Sequence, residues 1–120
     1  MQRHRFTVQL HSLGATDLHH GDCQGGDKQA HDIARSLGLI IVGHPPKAAG
    51  LRAYCVCDEM REPRAFLTRN HAIVLETQIL IATPSGPETL RSGTWATVRF
   101  ARRQGLPRVI ITPNGTVLDD

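Results

Sequence analysis

Three short runs constrain this chain most. Leu39–Gly43 (LIIVG), Ile79–Thr83 (ILIAT) and Arg108–Thr112 (RVIIT) are nearly continuous apolar segments bounded by turn residues. A strand with one wet face alternates apolar and polar side chains. A run that is apolar at successive positions has both faces covered, as in the parallel sheet of an α/β domain. Asp17–Gly21 (DLHHG) is a weaker fourth strand, placed by the glycine-rich turn that follows it. Helical spacing fills the intervals. Ala30, Ile33, Ala34 and Leu37 fall at i, i+3, i+4 and i+7 within Asp27–Leu37, with Asp27 as the expected N-cap and Gly38 as the C-cap. Phe66–Glu76 and Thr94–Arg103 repeat the pattern, and Gly105 with Pro107 ends the latter. The alternation predicts an α/β fold with a mostly parallel sheet.

At 120 residues the chain fits a single domain spanning 1–120. Residues 44–63 (HPPKAAGLRAYCVCDEMREP) carry three prolines and no clear period, which predicts a long functional loop or lid. No apolar stretch reaches the roughly 20 residues of a membrane helix. Three cysteines argue against a secreted disulfide framework, so a cytoplasmic location and no membrane partner are expected. Aromatic residues are only 4%, too few for base-stacking platforms. The net charge of +3 comes from scattered arginines rather than a basic run, which fits a small anionic ligand better than a polymer.

Two loops follow predicted strands and open predicted helices. The first is Gly21-Asp22-Cys23-Gln24-Gly25-Gly26-Asp27, and the second is Ser92-Gly93-Thr94, preceded by Arg91. Glycine lets the backbone approach a ligand closely. Free N–H groups at a helix start, with the helix dipole, favour a phosphate or carboxylate. Each loop alone is an ordinary turn or cap; together, at corresponding strand ends, they predict a shared anion site. Arg69 adds a planar cationic fork, and Asn70 a capping group or a partner for a ribose hydroxyl. Asp22 accepts ribose hydroxyls in one reading and bonds its own turn in the other.

Metal chemistry finds no standard ligand spacing. Cys55-Val56-Cys57 is unlike a C-x-x-C knuckle, and His19-His20 places its rings on opposite faces of a strand. No metal and no cofactor are expected.

Taken together, LHHGDCQGGDKQAHDIA, IVGHPP, RNHAIV, LIATPSGPETLRSGTWATVRFARRQG and IITPNG resemble the SLOG superfamily, the Smf/DprA-like and LOG-like Rossmann proteins that bind nucleotide-type ligands. Within it they are similar to a small stand-alone branch of bacterial and phage sequences. The resemblance covers most of residues 18–115. It implies a Rossmann-like three-layer fold and a nucleotide or ADP-ribose-like ligand. The cleft it implies is built from Gly21–Asp27, Arg69, Asn70, Thr83, Pro84, Ser85 and Ser92–Thr94, with the protein acting as sensor, carrier or sequestering module.

Two departures from that family follow. Its members begin with a strand and then a helix leading into the HHGD strand, but only about sixteen residues precede Asp17. A crossover helix needs about a dozen of them. Residues 1–13 are therefore read as that helix, and the family's first strand is expected to be missing, leaving strand edges that favour a homo-oligomer. Second, LOG-type phosphoribohydrolases carry a glutamate where this chain has Thr97, and a threonine cannot hold charge against an oxocarbenium-like centre. An N-glycosidase or deoxyribosyltransferase would need Asp22 or Glu88 instead. A DprA-like single-stranded DNA role, resting on Arg99, Arg102 and Arg103, is the third reading.

Overall fold

The computed structural model describes residues 2–118 and 120. In chain order it contains α1 (Gln2–Ser12), β1 (Asp17–His20), α2 (Gly26–Ser36), β2 (Ile40–Gly43), a 3-10 turn (Ala49–Leu51), β3 (Glu59–Met60), α3 (Phe66–Glu76), β4 (Leu80–Ala82), α4 (Gly93–Gln104), β5 (Arg108–Ile111) and β6 (Val117–Leu118). The four apolar or turn-bounded runs are strands, and the first residues form the helix expected of them.

The strands form two half-sheets of three, in the orders β1-β2-β3 and β4-β5-β6. Every pairing is parallel except β5 with β6, which is antiparallel. Among the described residues no strand lies between β1 and β4. This is a Rossmann-like three-layer architecture.

Alternation along the strands sorts the core into two layers. Leu18, Ile81, Val109 and Ile111 meet α1 and α2 through Phe6, Leu10 and Ile33. Leu80, Ala82 and Ile110 point to the other face and meet Trp95 and Val98 of α4. Full burial of an Ile or Val side chain contributes roughly 1.5–3 kcal/mol, and Ile41, Ile110, Ile111 and Val98 are all essentially inaccessible. Helix α1 matters most for the architecture, because its Phe6 and Leu10 touch residues of both half-sheets. On the opposite face, His71 of α3 stacks on Phe100 of α4 with ring centroids 3.8 Å apart.

Residues 44–63, expected as a loop or lid, are built into the fold. They contribute β3, which pairs in parallel with β2 through Val42–Glu59 and Gly43–Met60. The Asp58 carboxylate accepts the Ile41 amide at 2.8 Å, and Pro46 bridges to Arg64. A two-residue strand has too little periodicity to be visible in sequence. No helix among the described residues is long and apolar enough to cross a membrane.

Candidate functional site: a cavity between the half-sheets

The gap between β1 and β4 is a cavity of about 980 Å³, at the upper end of the range for ligand pockets. Strand residues Asp17–His20 form one wall and Leu80 and Ile81 the other, with α1 closing one side through Phe6 and Leu10. Gln24, Gly26, Asp27, Thr83, Ser85 and Thr94 line its rim. The two loops singled out in sequence therefore border one space.

Both helix starts are arranged to leave donors free. Helix α2 is capped by Gly25 at φ 91°, a left-handed conformation that glycine adopts at little cost, and no side chain caps it. The expected N-cap, Asp27, instead sits inside the first turn, where its carboxylate accepts the Cys23 amide at 3.2 Å and closes the loop. The helix begins at Gly26, ahead of Asp27, so the carboxylate falls within its first turn. At α4, Ser92 is the N-cap and its hydroxyl accepts from the Trp95 amide at 3.2 Å. The amides of Gly26, Asp27, Gly93 and Thr94 precede the first intrahelical bonds. Arg91 stands exposed beside the second helix start.

Arg69 is placed differently from the expected anion clamp. It is 6% exposed. Its Nη1 donates to the Gly21 carbonyl at 2.5 Å and the His44 carbonyl at 3.2 Å, and its Nε donates to Asn70 at 2.6 Å. The guanidinium staples the ends of β1 and β2 to α3. Asn70 completes that staple. Pro84 is fully buried, and its carbonyl accepts from Gln2 at 2.9 Å, tying α1 to the end of β4.

Of the two candidate catalytic carboxylates, one is buried and the other lies outside this cavity. Asp22 is completely buried and sits at φ 53°. It accepts the Arg52 Nε and the Cys55 amide, both at 2.9 Å, so it anchors the segment around Cys55 rather than a ribose or its own turn. Glu88 bonds Arg99 at 3.2 Å and Arg102 at 3.0 Å outside the cavity. Of the three arginines of the expected basic patch, Arg99 and Arg102 are ion-paired with Glu88, and Arg102 shares Asp120 with Arg108. Thr97 donates its hydroxyl to the Gly93 carbonyl at 3.0 Å within the helix, pointing no reactive group at the cavity.

Two histidine pairs were not foreseen. Adjacent residues on β1 point to opposite faces, and each ring finds another. His19 Nδ1 lies 2.8 Å from His44 Nε2, and Glu76 is close enough that ligand atoms of all three lie within 4.8 Å of one another. His20 Nε2 lies 3.1 Å from His31 Nδ1. Cys57 Sγ is 3.7 Å and 4.0 Å from those two nitrogens, and Cys55 joins the same group. The thiols of Cys55 and Cys57 both approach this pair, as residues two apart share one side of a chain whose side chains alternate. Burial lowers the pKa of His19 and His20, takes that of His44 down to about 4, and raises that of Cys55 to about 11. All these groups rest in their neutral forms near pH 7. Spacing along the chain carries no sign of such convergence across a sheet.

No family model matches the chain, and no curated protein sequence matches it. Among solved structures it is similar to a protein from Syntrophus aciditrophicus that bears the name molybdenum carrier protein. The TM-score is 0.67 at 24% identity, over 83% of this chain. The chain spans 65% of that protein's length. The likeness shows the shared Rossmann-like fold.

Proposed function

We propose that the protein binds a nucleotide or ADP-ribose-like anion in the cavity between β1 and β4, as a sensor, carrier or sequestering module. The observation that carries this reading is the meeting of two helix starts, at Gly26 and Thr94, on the rim of one space. Unpaired amides with the positive ends of two helix dipoles favour phosphate oxygens there, and Thr83, Ser85 and Thr94 add hydroxyls. The apolar wall from Phe6, Leu10 and Ile81 suits the flat, less polar part of such a ligand. Binding without turnover accords with Asp22 and Glu88 both being held in ion pairs. The exposed edges of β1 and β4 support self-association of the chain.

The name of the structural neighbour favours a second reading, in which the anion is molybdate or a molybdenum-bearing cofactor. One experiment separates the two. Mass spectrometry of small molecules released from purified protein, followed by calorimetry with AMP, ADP, ADP-ribose and molybdate, is expected to find a purine nucleotide and saturable binding of at least one nucleotide. Retention of molybdenum with no response to nucleotides would transfer the assignment to the second reading.

A further inference from the structure

We propose that His19, His44 and Glu76 form a binding site for a first-row divalent cation of the zinc class, opening on the cavity. The donor set comes from three separate elements: His19 from β1, His44 from the residue after β2, and Glu76 from the end of α3. Two imidazoles and one carboxylate are a standard set for zinc and its neighbours when coordination positions are left open for a ligand. His19 and Glu76 line the cavity, so those open positions face it, while His44 is only 2% exposed and forms the closed side.

The geometry requires little rearrangement. The facing nitrogens of His19 and His44 are 2.8 Å apart, and ligand nitrogens on one tetrahedral zinc, at about 2.0–2.1 Å from the metal, stand roughly 3.3 Å apart. Between neutral rings at that distance one nitrogen holds a proton and the other a lone pair. Cation uptake moves that proton to an outer ring nitrogen, His19 Nε2 or His44 Nδ1, so both lone pairs converge without a proton leaving the protein. Glu76 is already oriented. Its Oε1 accepts from Arg61 Nε at 2.9 Å, a second-shell contact of the type that fixes ligating carboxylates, and its other oxygen is free of that bond.

The cluster on the other face of β1 is the competing location, and its proton arrangement argues against it. The Asp22 amide donates to His20 Nδ1 at 2.9 Å. The ring's own proton is therefore on Nε2, directed at His31, where a cation would have to sit. Occupation there would strip that proton and those of the thiols, which burial and the Asp22 carboxylate hold on more firmly than usual.

The site is independent of the nucleotide reading and is tested with metal alone. Untagged protein is titrated with Zn²⁺ by calorimetry in two buffers of different ionisation enthalpy, and with Co²⁺ by absorption. The expected result is one saturable equivalent, nearly no proton release at pH 7.5, and visible cobalt bands without a near-ultraviolet thiolate charge-transfer band. Glu76→Gln and His19→Gln should each weaken Zn²⁺ binding at least about tenfold, corresponding to the loss of one ligand's contribution, while His31→Gln binds as the parent protein does. Absence of a saturable equivalent would overturn the proposal. So would undiminished binding in both ligand variants, or a thiolate band with proton release, which would place the cation on Cys55 and Cys57.

Discussion

Arg69 Nη1 donates to the carbonyl of Gly21 at 2.5 Å, inside the protein and beneath the turn that leads to α2. A methyl group on Gly21 would lie 2.7 Å from Arg69 Cζ and 2.8 Å from the Asp27 carboxylate. The turn therefore needs glycine for space. Gly21→Ala and Arg69→Ala should each destabilise the fold, by about 1–3 kcal/mol for the hydrogen bonds broken. Urea denaturation followed by circular dichroism measures this. Unchanged midpoints in both variants would mean that the staple contributes nothing.

Thr94 offers the reverse case, since it lies at the cavity rim on the exposed start of α4. Thr94→Ala should weaken nucleotide binding about fivefold, the loss of roughly 1 kcal/mol from one hydroxyl contact, with no loss of stability beyond a few tenths of a kcal/mol. Calorimetry on both proteins checks it, and equal affinities would remove Thr94 from the site.

Asp22 is buried against Arg52, and the pair ties the Cys55 segment to the β1–α2 turn. Breaking a buried ion pair on one side costs about 3–5 kcal/mol, so Asp22→Asn should lower the unfolding free energy by an amount in that range. It should have no catalytic consequence of its own. A stable Asp22→Asn protein that had lost a measurable hydrolysis of nucleoside monophosphates would instead establish an enzyme.

His31 is held below its ordinary pKa of 6.5, first by burial and then by the charge of Arg35. A base whose folded pKa is depressed binds protons more readily when unfolded. Stability attributable to it is therefore present above pH 6.5 and declines as the pH falls below that value. Denaturant midpoints should drop between pH 7.5 and pH 5, and His31→Gln should flatten the slope. An identical slope in the variant would show that other groups govern the acid limb.

The outer edges of β1 and β4 toward the cavity carry unpaired backbone groups, which invite strand pairing with another chain. Sedimentation velocity over a wide concentration range should show a mass-action dimer or larger species. A lone monomer at every concentration would mean that α1 and the cavity rim shield these edges sufficiently.

The layers of this fold were legible because burial of a parallel strand is written in consecutive residues such as Ile41 and Val42 of β2 or Ile110 and Ile111 of β5. The loops after β1 and β4 were legible because glycine and hydroxyl residues mark helix starts. The partners of Arg69 and Asp22 were not, since a charged side chain in a glycine-rich context has the same sequence appearance whether it meets a ligand or an internal carbonyl. Strand β3 was hidden by its brevity, and β6 by the Pro113-Asn114-Gly115 turn that seemed only to close β5. The imidazole pairs depend on which side of β1 each ring takes, and their partners His31, His44 and Glu76 arrive from elements 11, 25 and 57 residues away.

The alternation of His19 and His20 has one more consequence. Sliding β1 by a single position along β2 would swap their surroundings, pressing an imidazole meant for a carboxylate against sulfur and turning Leu18 away from the oily layer beneath α1. Two aromatic bases side by side thus act as a ratchet pin, making misalignment of the half-sheet's free edge costly even though none of the described strands neighbours it on that side.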